Sequence, residues 1–184
     1  MLSTSIGRRA RGFTIIELMV VVAMLSILMG LALPSFKSVT ESWRVGQAVD
    51  NLRSTMFYAR SEAIRRGGDT FIEKLPSTTS GCTLAKRDAN WDCGWVVFVD
   101  ANNNRRWDAG EEIQRHAPAQ NLTVTRSSAA ATIAVDRWGV IAGGDSVGFS
   151  VAPADNSSQS VKKVCILPGG RVQVGPTVDS SCAA

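Results

Sequence analysis

Arg8-Arg9-Ala10-Arg11-Gly12-Phe13-Thr14-Ile15-Ile16-Glu17-Leu18, with the apolar run that continues behind it to Leu33, is the stretch on which the reading of this chain turns. Three arginines fall within four residues, and the sequence then becomes apolar at once. From Phe13 to Leu33 there are 21 residues and a single charge, Glu17. As a helix that run is roughly 31 Å long, about the thickness of a bilayer's hydrocarbon core. It predicts a transmembrane helix over 13–33, with the arginines keeping the short N-terminus in the cytoplasm and the larger C-terminal part exported. Glu17 is the exception, one turn inside the apolar edge. An acidic residue at the centre of a span costs about 2.5–3.5 kcal/mol. The cost is smaller near the end, but an intramembrane carboxylate still marks a functional position whose partner should be named.

Pro34 follows the run, and the helical pattern then resumes. Val39, Trp43, Val49, Leu52, Met56, Ala59 and Ala63 recur mostly at three- and four-residue steps, with Gly46 in the gap. Lys37, Glu41, Arg44, Asp50, Arg53 and Arg60 fall elsewhere, so residues 34–66 read as an amphipathic continuation of the helix. Arg65 and Arg66 suit its C-terminal dipole, and Gly67-Gly68 suits its stop.

After Gly68 the period shortens. Apolar or β-branched runs occur at Thr70–Leu75, Trp95–Val99, Ile113–His116, Leu122–Thr125, Thr132–Val135, Val147–Val151, Val161–Leu167 and Arg171–Val174. Turn-forming residues separate them, which predicts antiparallel strands through a β-rich region over 67–184. Ala152 to Ser160 reads as an exposed loop. The fold class is α+β: a long N-terminal helix packed on an antiparallel β-sheet.

Three readings compete for the opening stretch. A secretory signal peptide would be cut after Gly30-Leu31-Ala32, but the apolar run is long for one and contains an acid. An ordinary single-span anchor leaves Glu17 without a partner. The third comes from a resemblance. Gly12-Phe13-Thr14-Ile15-Ile16-Glu17-Leu18 resembles the processing site of type IV pilins and type II secretion pseudopilins. That resemblance implies a leader, 1–12, cut after Gly12 by a prepilin peptidase, N-methylation of Phe13, and retention of the helix. It also implies that Glu17 pairs with the terminal amine of a neighbouring subunit. Tyr58-Ala59-Arg60-Ser61-Glu62-Ala63-Ile64-Arg65 looks like the helix end of the GspH/FimT branch, which includes the FimU-like minor pilins. Gly94-Trp95-Val96-Val97-Phe98-Val99-Asp100, with its Asn-rich turn and Glu111-Glu112-Ile113, looks like that branch's central hairpin.

The resemblance implies a pilin-like fold and a non-enzymatic minor subunit of a type IV pilus, acting at assembly initiation or at the tip. The alternatives are the H-type minor pseudopilin of type II secretion and a DNA-binding minor pilin of natural transformation. The implied partners are the peptidase, other major and minor pilins or pseudopilins, and the inner membrane, with DNA a candidate. No cofactor is implied. The implied location is a single-pass inner-membrane protein with a periplasmic domain, drawn into a filament or pseudopilus.

Composition bears on each alternative. The three leader arginines supply most of the +4 net charge, so overall charge is a poor argument for nucleic-acid binding. Four cysteines in an exported chain read as two disulfides, with local pairing of Cys82 to Cys93 and Cys165 to Cys182 the simplest of three connectivities. With one histidine, His116, and no C-x-x-C pair, a zinc site is not expected.

Asp100, Asn102, Asn104, Asp108 and Glu111 match the oxygen positions of a calcium loop. Arg105 replaces the loop's turn glycine and Arg106 adds a second positive charge, which favours a plain polar hairpin tip. For DNA, the Gly-Arg-x-Arg segment associated with binding in FimT proteins is matched by Gly170-Arg171-Val172-Gln173 only at its first arginine. Lys162 and Lys163 are the nearby reinforcements, although strand alternation sends them to opposite faces. No H-E-x-x-H and no phosphate-cradling glycine loop ending in lysine are present. His116 reads as a surface or rim residue. Trp91, Trp95, Trp107 and Trp138 read as core and rim packing.

Overall fold

The computed structural model describes residues 12–117, 121–155, 160–175 and 182, without the side chains of 31–36. Helix α1 spans Ile15–Arg66. Eight strands follow: β1 (Thr70–Lys74), β2 (Trp95–Val99), β3 (Glu112–His116), β4 (Leu122–Arg126), β5 (Thr132–Val135), β6 (Val147–Pro153), β7 (Lys162–Ile166) and β8 (Val172–Gly175). All eight expected strands are present, with ends within two residues of the expected ones. They form two antiparallel sheets, ordered β3-β2-β1-β5 and β4-β6-β7-β8, where a single sheet had been expected. A buried carboxylate joins the sheets: Asp92 Oδ1 accepts from the backbone N–H of Val124 at 2.6 Å, and Trp91 N–H donates to the Val124 carbonyl.

The chain divides into two compact units, Met1–Val39 and Thr40–Ala184. In the first, every large apolar side chain from Ile15 to Met29 is exposed, by 47–82%. Among the described residues no helix is long and apolar enough to cross a membrane. The expected span 13–33 lies partly on residues whose side chains fall outside the description.

In the second unit, α1 contributes Val45, Ala48, Val49, Leu52, Met56, Ala59 and Ala63 to the main core. They meet Ile72, Trp95, Val97 and Ile133 from one sheet, and Val124, Phe149, Val151 and Val164 from the other. The Trp95 indole donates to the buried Thr55 hydroxyl at 2.9 Å, satisfying both polar groups inside that core. The helix stops as its glycines predict, with Gly67 (φ +83°) and Gly68 both donating to the Ala63 carbonyl at 2.9 Å.

Two expected core positions are corrected. Trp43 is 64% exposed, because at 3.6 residues per turn it lies about 160° around the helix from Val45. Val39 is 63% exposed. The expected exposed loop is also smaller than predicted. β6 continues through Ala152 to a buried Pro153, and buried Ser160 shares a 2.9 Å hydrogen bond with Ser42. Residues 156–159 of that loop lie outside the described residues.

β2 is apolar without alternation because both of its faces are covered. Trp95 and Val97 face the main core. Val96 and Phe98 belong to a second, smaller core with Leu75, Ala85 and Cys93. Phe71 stacks on Phe98, with 5.4 Å between ring centroids. The loop that covers this face is held by the Cys82–Cys93 disulfide and by Lys74 Nζ, which donates to the carbonyls of Ala85 and Arg87.

Candidate functional site

The described N-terminal residues begin at Gly12, so Arg8, Arg9 and Arg11 lie outside them. Phe13 is 81% exposed. Thr14 caps α1: its hydroxyl accepts the N–H of Glu17 at 3.3 Å, and its carbonyl accepts the N–H of Leu18 at 3.2 Å. Glu17 stands three residues after that cap, in the first helical turn, where the helix dipole favours a carboxylate. Thr14-x-x-Glu17 is a capping-box sequence. The signal for it is local, a threonine followed three residues later by a glutamate at the head of an apolar run.

The β2–β3 tip holds the five candidate calcium-loop residues together, but their oxygens serve the loop's own backbone N–H groups and side-chain amides. Buried Asp100 accepts from the N–H groups of Asn104 (3.1 Å) and Arg105 (2.8 Å). Asn102 and Asn104 turn their amide NH2 groups to the Asp108 carboxylate, and these donors hold its pKa below the usual value. Asn104 Oδ1 accepts from Arg106 N–H at 2.7 Å. Glu111 accepts from the N–H groups of Ala101 and Asp108. Among the described residues no cluster of three or more His, Cys, Asp or Glu side chains is arranged to hold a metal ion.

Arg105, where a calcium loop has glycine, adopts φ +60°. The turn folds Trp107 back beside the second core. There the Trp107 backbone N–H donates to Glu73 at 3.1 Å, and the Arg115 guanidinium lies 4.8 Å from the Trp107 ring centre. Burial pushes the Glu73 carboxyl above its usual pKa.

The basic candidates are not brought together. Register and alternation place Val164 and Ile166 of β7 in the main core. Lys162 shares that face, and its ammonium lies over Gly46 of α1. Lys163 faces away, as does Cys165, which forms a disulfide with Cys182. Arg171 is exposed just before β8. The Pro168-Gly169-Gly170 turn is packed rather than free, because a Cβ on Gly170 (φ +77°) would overlap the Arg60 guanidinium.

His116 is half-buried against Trp95, with 5.5 Å between rings, and burial lowers its pKa. Trp91 and Trp95 are buried and Trp107 is half-buried, whereas Trp138 is 74% exposed and corrects the expectation of packing. Gly144-Asp145-Ser146-Val147-Gly148 has the spacing of a hydrolase nucleophile elbow. Here it leads from a turn into β6, with no helix after it, and His116 sits on β3 of the other sheet. The strand–turn–helix setting of that motif is missing at this position.

Comparison with known proteins gives a consistent answer. The family described as Type II transport protein GspH matches residues 48–170, and the Prokaryotic N-terminal methylation motif matches residues 7–33. The chain is 36% identical over 102 residues to the Pilin-like protein PilA1 of Thermus thermophilus. That match covers 55% of this chain and 56% of that protein, so it spans just over half the length of the curated relative. Two crystal structures of the type IV minor pilin FimU of Pseudomonas aeruginosa share the fold. Their TM-scores are 0.56 and 0.57 at 21% and 20% identity, covering 75% and 76% of this chain and 99% and 95% of theirs.

Proposed function

Because the chain belongs to the family of the type II transport protein GspH, we propose that it is a minor pilin or pseudopilin, a non-enzymatic subunit built into a filament. It is cut between Gly12 and Phe13 by a prepilin peptidase, methylated on Phe13, and anchored in the inner membrane by residues 13–33 with its domain in the periplasm. The match to the methylation motif over residues 7–33 supports the cut and the modification. The observation that carries the reading is the exposure of every large apolar side chain from Ile15 to Met29 in a chain whose second unit has a core of its own. So much contiguous apolar surface requires cover by lipid or by other subunits.

Glu17 supplies the assembly step. A carboxylate in hydrocarbon becomes tolerable when the terminal ammonium of an adjacent processed subunit lies beside it. Extraction from the membrane is then favourable only in register with that neighbour. Replacing Glu17 with Ala should leave membrane insertion intact and lower incorporation into filaments; normal incorporation would refute the pairing.

A low-copy place at the start or tip of a type IV pilus is the reading we favour. The family's description as a type II transport protein supports a second, an H-type secretion pseudopilin. The separation of Lys162 from Lys163 weighs against a DNA site built from these lysines and Arg171.

A further inference from the structure

One face of the second unit gathers arginines around exposed apolar side chains. On α1, Arg53 and Phe57 are both exposed, with the guanidinium 5.7 Å from the Phe57 ring centre. Arg60 and the 57% exposed Ile64 follow. The turn after β5 lies directly against these two: a Cβ on Gly139 would stand 3.0 Å from Ile64 Cδ1 and 3.3 Å from Arg60 Nε. That contact holds against α1 the turn that carries exposed Arg137 and Trp138. On the other side, Gly170 lies under the Arg60 guanidinium and brings in exposed Arg171. The turn bearing Trp138 is braced, since Asp136 Oδ1 accepts the N–H groups of Trp138 and Val140, each at 2.9 Å.

Among the described residues, none of these four arginines is paired with a carboxylate. The nearest acid in the turn, Asp136, is committed to backbone N–H groups. Tryptophan and arginine are the side chains in which binding hot spots are enriched. We propose that this face docks a different protein chain, one that presents carboxylates around an aliphatic patch.

Charge selects the occupant. A second copy meeting the same face would set guanidinium groups against guanidinium groups, which opposes self-association. A duplex nucleic acid would use the arginines through phosphate contacts and leave the apolar side chains without a role, and a single strand would need free ring faces for stacking. Arg53 already lies over Phe57 and Ile64 cannot stack, which leaves Trp138 alone. The surface serves equally in a pilus or a secretion pseudopilus.

The test uses the full chain in its host, with photoreactive benzoylphenylalanine replacing Trp138 and, as a control, exposed Lys86. The expected result is a cross-link from position 138, and not from 86, to another protein at a segment rich in carboxylates. Arg53→Glu with Arg137→Glu should lower its yield at least about tenfold, and Glu→Arg changes in the mapped segment should restore it. An unchanged melting temperature for the double variant shows that the loss is not unfolding; should that variant unfold, Arg53→Gln with Arg137→Gln replaces it. Cross-links only to copies of this chain, a nuclease-sensitive product, or no cross-link at all would each overturn the proposal. So would a yield indifferent to charge. Glu17→Ala tested in parallel separates this docking from the helix pairing.

Discussion

Replacing Asp100 with Ala tests whether the hairpin tip is a folding device or a cation loop. Asp100 is buried and makes two hydrogen bonds to backbone N–H groups, from Asn104 at 3.1 Å and Arg105 at 2.8 Å. Hydrogen bonds to a charged group contribute about 1.5–3 kcal/mol each. Asn104 N–H keeps Asn102 Oδ1 as a second acceptor at 3.1 Å, so most of the loss falls on Arg105 N–H. Arg105 is also a non-glycine residue at positive φ, held there by this contact. A destabilisation of about 2–3 kcal/mol follows, which for a chain of this size lowers the melting temperature by roughly 5–10 °C. The assay is thermal denaturation of the full chain in detergent, with and without millimolar calcium. Wild type should not respond to calcium, because the loop oxygens already have donors. A variant melting within a degree of wild type would refute the hydrogen-bond argument. A calcium-dependent rise in wild type that Asp100→Ala abolishes would show that the carboxylate's task is ligation.

Gly170→Ala should destabilise, because the new Cβ meets the Arg60 guanidinium at φ +77°. The left-handed backbone alone costs about 1–2 kcal/mol, and Gly169→Ala, with open space and no positive φ, is the control in the same melting experiment. Hydrogen bonds from Arg65 and Arg66 lower the Glu62 carboxyl from 4.5 to about 2. The folded state therefore holds fewer protons there than the unfolded state, and this stabilisation is present above pH 4.5 and lost as pH falls toward 2. In acid titrations Glu62→Gln should be less stable than wild type at neutral pH and converge with it near pH 2. Glu73 has the opposite sign. Burial raises its pKa, so its carboxylate opposes folding as pH rises through the folded value. Glu73→Gln, which can still accept from Trp107 N–H, should match or exceed wild-type stability at pH 7 in the same melts.

Local signals placed the elements well because the sequence states them locally. The three- and four-residue spacing through Leu52, Met56, Ala59 and Ala63, and the Gly67-Gly68 stop, describe a helix without reference to the rest of the chain. What they omit is which strands become neighbours. The division into two sheets depends on contacts such as Asp92 to Val124, separated by 32 residues and invisible to any short window. Trp43 shows a different limit. Its spacing fits the amphipathic series loosely, but only the position of the packed sheets decides which side of the helix is buried, and Val45 and Ala48 lie on that side. At the hairpin tip the residue types were legible and their use was not. Asp, Asn and Glu at alternating positions can wrap a cation or the loop's own N–H groups, and the hydrogen bonds observed here serve the loop.

Glu17 shows how far a local role can explain a residue. Its place in the first turn, three residues past the Thr14 cap, gains about 0.3–1 kcal/mol from the helix dipole. A carboxylate at the centre of a hydrocarbon layer costs about 2.5–3.5 kcal/mol, and one nearer the edge less. The dipole thus offsets only part of the cost unless the residue lies very close to the interface, and the cap itself uses Thr14 and the backbone rather than the Glu17 charge. A glutamine here would keep that cap without the full cost. The case for a cationic partner rests on this gap between the two magnitudes, and a cut at Gly12 would create one such cation at Phe13, on a neighbouring chain.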